Sequence, residues 1–159
     1  MYNHSEFGLW GEKQAQKHLK KKGLKILETN YETKFGEVDV ICLQTKASAT
    51  KQAKKFEKAI EKAHGKDRFD LHKRLTQKQF ERADNVLVFV EVKSRSKESA
   101  NVVEPNEAVD AKKQSKYASV AKVFASSNEK FAKMPWRFDI VEVVEDCGKA
   151  KLNHIECAF

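Results

Sequence analysis

Residues 86–93 read Val86-Leu87-Val88-Phe89-Val90-Glu91-Val92-Lys93, and this run decides the fold. Its side chains alternate. Val86, Val88, Val90 and Val92 share one face, and Leu87, Phe89, Glu91 and Lys93 share the other. Both faces begin apolar, so the pattern predicts a central strand covered on both sides. Charge enters only at the C-terminal end of one face. A carboxylate at the end of a buried strand is costly unless it is paired, hydrated or bound to a cation.

The pattern extends outward on both sides. Trp136 to Val144 is a further strand, preceded by a loop at 127–135 and by a helix from Glu107 to Ser126 with alanines along one face. Residues 94–106 form a polar loop containing Pro105. Upstream, Phe35 to Leu43 reads as a strand with Glu37 and Asp39 on one face and Val38 and Val40 on the other. Leu24 to Tyr31 is a short strand or extended piece. Residues 9–22 form a helix with Ala15 and Leu19 on its apolar stripe, ended by Gly23 as the residue after the cap. The tail Ile155 to Phe159 is expected as an edge strand or a packed terminus. Helix, strands, central strand, helix, strand is the order of an α/β or α+β layer, with helices against a mixed sheet.

Residues 44–85 differ from the rest. They carry 12 basic and 6 acidic side chains, so most of the net charge of +8 sits in about a quarter of the 159 residues. Phe56, Ile60 and Ala63 at helical spacing, then a turn at Gly65-Lys66-Asp67, suggest a basic helical hairpin. A flexible charged linker is the alternative. Such a lobe attracts a polyanion through phosphate contacts and counterion release, with Lys51, Lys54, Lys55, Lys58 and Lys62 as the expected contacts. A solvated lysine surface without a partner accounts for the same composition.

Several classes of protein are disfavoured. No apolar run is long enough for a membrane span, and the first residues do not read as a secretory signal. Three cysteines, Cys42, Cys147 and Cys157, build no dense disulfide framework, so a reducing, cytoplasmic setting is expected. His154-x-x-Cys157 lacks a second ligand pair for zinc. Cys42 sits in an apolar strand and reads as core. Trp10, Phe35 and Trp136 could stack bases, with packing as the default. No phosphate-binding glycine loop is present.

The acids suggest a site. If the strands carrying Asp39 and Glu91 are neighbours, both carboxylates could meet one hard divalent cation, with the main-chain carbonyl of Val92 as a third oxygen donor. Such an ion lowers the pKa of bound water and offsets charge on a phosphoryl transition state. Lys93 would then hold the phosphate or assist the attacking water. The plain alternative is a strand end that reaches solvent and forms a surface ion pair, worth about 0–1 kcal/mol.

Six segments then point to a family. They are Gly11-Glu12 with Ala15, Gly36 to Ile41, Leu87 to Arg95, Ala108-Val109-Asp110 with Lys113-Gln114, Arg137 to Ile140, and Ala158-Phe159. Together they resemble the UPF0102 (YraN-like) family over residues 1–43 and 86–159. That family falls in the PD-(D/E)XK restriction-endonuclease-like superfamily, similar in fold to archaeal Holliday-junction resolvases. The resemblance implies an α/β restriction-endonuclease-like core, a central mixed β-sheet flanked by helices, forming one domain over 1–159 with the basic helical insertion inside it. It implies Mg²⁺ or Mn²⁺ as cofactor. Asp39 matches the first metal-binding carboxylate, and Glu91 with Lys93 matches the second motif. Glu12 matches an additional N-terminal acid near the metal, and Gln114 with Lys113 matches a helical position that orients the site or contacts phosphate. The read from the residues alone differs for some of these. Glu12 would be a favourable charge near a helix N-terminus, and Lys113 and Gln114 ordinary helix surface. Arg137 and Asp139 share a strand face and read as a structural pair. The insertion departs from the family's short connection between the Asp39 and Glu91 strands.

Three functions are expected to compete: a metal-dependent nuclease acting on DNA, branched or structured DNA included; a non-catalytic nucleic-acid-binding protein that keeps the fold; and a protein-interaction module using the insertion. A homodimer is expected by analogy with resolvases.

Overall fold

A computed structural model describes residues 4–45, 85–97 and 111–159. Five strands and two helices are defined there: α1 (His4–Lys21), β1 (Lys25–Thr33), β2 (Gly36–Thr45), β3 (Asn85–Ser96), α2 (Ala111–Ser126), β4 (Trp136–Asp146) and β5 (Lys149–Ile155). The strands form one mixed sheet in the order β1-β2-β3-β4-β5. The β3–β4 pair is parallel and the others are antiparallel. β3 lies at the centre, as its two apolar faces require. Val86 to Val90 are buried, and burial falls from Glu91 onward.

One helix packs on each face. Ala15 and Leu19 of α1 join Val40, Cys42, Val86, Val88, Val90, Val141 and Val143 in one core cluster. Tyr117, Val120, Ala121, Phe124 and Ala125 of α2 join Val38, Ile41, Leu87, Phe89 and Phe138 in the other. Each fully buried Val, Leu or Phe contributes on the order of 1.5–3 kcal/mol, so these two layers hold the sheet. The result is an α/β fold with a central mixed sheet flanked by helices, as the sequence predicts.

Gly23 ends α1 at φ +85°. Gly23 N–H donates to Lys20 O at 2.9 Å and Leu24 N–H to Leu19 O at 3.0 Å, the paired bonds of a Schellman ending. α1 begins five residues before the predicted start at residue 9, and the strands run past their predicted ends. β5 departs most. Lys149 to Ile155 pairs with β4 through a two-residue turn at Cys147 (φ +52°) and Gly148 (φ +76°). Both central residues of that turn need positive φ, which Gly148 supplies readily and Cys147 adopts at a cost. The tail beyond β5 is a packed terminus. Ala158 N–H donates to Phe138 O at 2.8 Å, and the Phe159 ring stacks on Phe138 with centroids 4.9 Å apart.

The basic segment is entered from Thr45 and left at Asn85, which are paired across the β2–β3 ladder. Residues 46–84, with Lys51, Lys54, Lys55, Lys58 and Lys62, lie outside the described residues, as do 98–110 of the predicted loop and helix. Among the described residues, no helix is long and apolar enough to cross a membrane.

Candidate active site

The β2–β3 ladder stops at the Val40–Val90 pair. Asp39 and Glu91 are the next residues along the two strands. The Asp39 carboxylate takes over the pairing, with Val92 N–H donating to Asp39 Oδ2 at 2.6 Å. A side chain thus replaces a main-chain carbonyl as acceptor, and β2 departs from simple alternation at this point. Val38 packs with the α2-side cluster and Val40 with the α1-side cluster, although the sequence places them on one face.

Asp39 and Glu91 open onto the same cleft, of about 510 Å³. Gly36, Glu37 and Val92 complete the sheet side, and Lys112, Lys113, Lys116, Tyr117 and Val120 of α2 form the facing wall. Burial raises the Asp39 carboxyl from 3.8 to about 6; the Val92 N–H opposes this, and Glu91, Glu12 and Glu37 push it further up. The neighbouring acids therefore load this position with unfavourable negative potential, which a cation would relieve.

Glu91 is held from α2. Lys113 Nζ donates to Glu91 Oε1 at 2.5 Å, and the Tyr117 hydroxyl donates to Glu91 Oε2. Lys113 and Tyr117 are four apart, so one helix face delivers both donors. The tyrosine hydroxyl is raised above its usual range, first by burial and then by its bond to Glu91. It stays protonated and remains a donor.

Glu12 acts on Asp39 through its charge rather than as a wall of the cleft. Its helix approaches β3 closely. A Cβ at Gly11 would come within 2.8 Å of Ser94 Cβ, so glycine is needed where α1 crosses the end of the central strand. Lys93 follows Val92 on β3, in register with Glu142 of β4, and is half-buried. Lys93 and Gln114 are not among the described residues lining the cleft. Tyr117, Lys112 and Lys116 are cleft residues that the sequence reading did not single out. The spacing of Tyr117 from Lys113 was the available signal, but an apolar helix face accounts equally well for a tyrosine there.

Among the described residues, no group of three or more His, Cys, Asp or Glu side chains is arranged to hold a metal ion. The donor chemistry still fits magnesium. That ion keeps several waters and is commonly bound by one or two carboxylates plus substrate phosphate, and Asp39 and Glu91 supply two carboxylates in one cleft.

A second polar cluster lies on β4. Arg137 Nε donates to Asp139 Oδ1 at 3.0 Å, and Arg137 Nη2 to Asp139 Oδ2 at 3.1 Å. His154 Nε2 and the Cys157 N–H also meet the Asp139 carboxylate, at 2.9 and 3.0 Å. Burial would push Asp139 up, but Arg137 and His154 outweigh it and hold the carboxyl below its usual range. Arg137 and Asp139 are thus a buried structural pair that ties the C-terminal segment to the sheet. Cys42 is buried, its thiol pushed up to about 12 by desolvation, which suits core packing.

The family model described as "Uncharacterised protein family UPF0102" matches residues 11–143. A UPF0102 protein of Syntrophomonas wolfei is 33% identical over 154 residues, covering 97% of each chain. One of Caldanaerobacter subterraneus is 35% identical over 160 residues, covering 99% of this chain and 97% of its own. One of Clostridioides difficile is 31% identical over 157 residues, covering 99% of both. With its mixed sheet, its flanking helices and these full-length likenesses, this chain belongs to the UPF0102 family.

Proposed function

We propose that this chain is a metal-dependent nuclease that hydrolyses phosphodiester bonds in DNA, branched or structured DNA included. The observation that carries the reading is the convergence of Asp39 and Glu91 on one cleft, with Asp39 raised to about 6 by burial and by Glu91, Glu12 and Glu37. Asp39 and Glu91, with the Val92 carbonyl and Glu12 nearby, would hold Mg²⁺ or Mn²⁺. When bound, that ion would lower the pKa of a water and offset charge on the phosphoryl group. Asp39 is oriented by the Val92 N–H. Glu91 is oriented by Lys113 and Tyr117, so both carboxylates are pre-positioned. The family resemblance assigns Lys93 to the scissile phosphate or the attacking water and Gln114 to orienting the site from α2, both from outside the residues that line the cleft. Lys112 and Lys116 would meet flanking phosphates from the opposite wall.

The test is cleavage of a labelled DNA panel with Mg²⁺, Mn²⁺ or EDTA. Cutting is expected only with a divalent ion and is expected to disappear in both D39A and K93A. Divalent-independent cutting, or cutting unchanged in both variants, would overturn the assignment.

A second reading is a nucleic-acid-binding protein that keeps the nuclease fold without turnover. Two observations favour it: both Glu91 oxygens are bonded within the protein, and no three-ligand metal group exists among the described residues. Its signature is salt-sensitive DNA binding with no divalent-dependent cutting.

A further inference from the structure

We infer that the turn between β1 and β2 is a stacking platform for an unpaired base, so that the cleft takes nucleotides from single-stranded or locally unpaired DNA in preference to continuous duplex. The inference deepens the nucleic-acid reading above and rests on it.

Leu9 and Phe35 are the exposed large hydrophobics among the described residues, and Phe35 is 40% exposed. Trp10 and Trp136, the other aromatic candidates for stacking, are committed elsewhere. Trp10 stacks on Phe7 with centroids 5.6 Å apart and packs against the α1-side core, and Trp136 packs against the α2-side core. Phe35 therefore differs from them in being exposed.

Its position gives that exposure a use. Phe35 immediately precedes Gly36 and Glu37, which line the acid cleft. The turn is braced. Phe35 N–H donates to Thr33 Oγ1 at 3.1 Å, and the Thr33 hydroxyl donates to Gly36 O at 3.2 Å. Gly36 adopts φ +138°, a conformation that side-chain-bearing residues rarely reach. Lys34 Nζ lies 5.1 Å from the ring centroid, which brings a cation to the same spot. Across the cleft, exposed Lys112 and Lys116 stand one helical turn apart on α2.

A nucleotide chain fits this arrangement through two general contacts. A base stacks on Phe35 beside the Lys34 cation, and adjoining phosphates meet the lysines of the far wall. Bases inside a duplex have both faces covered by their neighbours. A protruding aromatic finds a face only on an unpaired or terminal base.

The experiment measures binding of the full-length chain in EDTA to two probes, a fluorescein-labelled oligothymidylate and a labelled duplex of equal length. The wild type should bind the single strand more tightly. F35A should weaken single-strand binding about tenfold and leave duplex binding unchanged, and F35W should retain wild-type affinity. The K112A/K116A variant should lower affinity and reduce the salt slope for the single strand. Single-strand affinity unchanged in F35A, or weakened equally for both probes, would overturn the inference. The cleavage panel separates the two proposals. Selective loss in F35A without any cutting sustains the platform and removes the nuclease, whereas metal-dependent cutting with no F35A effect removes the platform alone.

Discussion

At the residue scale, Asp39 carries a conflict. It is drawn into a half-buried position by the Val92 N–H, yet burial and three neighbouring acids oppose its ionisation. Its native value of about 6 lies above the unfolded 3.8. The native state thus holds the proton more firmly, and the stability this contributes is lost as pH rises through about 6. At pH 7.5 the ionised carboxylate costs stability. Asn at this position removes the charge and keeps an oxygen for the Val92 N–H. D39N should therefore be more stable than wild type at pH 7.5 in EDTA, by roughly 1–3 kcal/mol, with the advantage gone near pH 4. Urea denaturation at the two pH values checks this, and a D39N protein no more stable at pH 7.5 would contradict the strain. Glu91 is oriented from α2, where Lys113 and Tyr117 each donate to one of its carboxylate oxygens.

At the scale of elements, the crossing of α1 over β3 brings Glu12 near the acid cleft. Ala inside a helix is ordinarily about 1 kcal/mol better than Gly. At position 11 the order should reverse, because a Cβ there meets the Ser94 side chain at 2.8 Å from its Cβ. G11A is expected to lose about 1–3 kcal/mol through overpacking. The double variant G11A/S94G should recover most of that loss, because the clash is removed from the other side. Thermal unfolding of the four proteins in the cycle gives the coupling, and additive effects would contradict a direct clash. The cap at Gly23 and the alternation of β3 were legible in the sequence because each is a local pattern. β5 was not, because its Cys147-Gly148 turn lacks the usual Asn-Gly or Asp-Gly signature and its residues are mostly polar.

At the scale of the whole molecule, α1 is fastened to the C-terminal end of the sheet by groups distant in sequence. Lys22 Nζ meets Glu156 Oε1 at 3.1 Å, and the His18 ring lies edge-on to His154 with centroids 5.6 Å apart. Burial, then Lys22 and His154, lower His18 from 6.5 to about 4 against the pull of Glu156; Lys21 also lowers it. Its proton is bound more weakly in the native state, so the associated stability is present above 6.5 and is lost as pH falls toward 4. Asp39 acts in the opposite sense over an overlapping range. H18Q should therefore flatten the loss of stability on acidification, whereas D39N should steepen it. Denaturation midpoints between pH 7 and 4.5 test both signs, and parallel profiles for all three proteins would contradict the assignment.

The sequence by itself determined the layered α/β class, the central position of β3, the ending of α1 and the arrival of Glu91 and Lys93 where that strand loses its apolar cover. These follow from periodicity and from glycine's conformational freedom, which neighbouring residues carry without help from the rest of the chain. Only the tertiary structure decided that the Asp39 carboxylate meets the Val92 N–H across 53 positions, that Lys113 and Tyr117 take Glu91, and that Phe35 is left exposed while the tryptophans are half-buried against the core. Such meetings depend on where a ladder ends and how a helix face docks, and those outcomes are set by packing across the sheet rather than by any local run of residues.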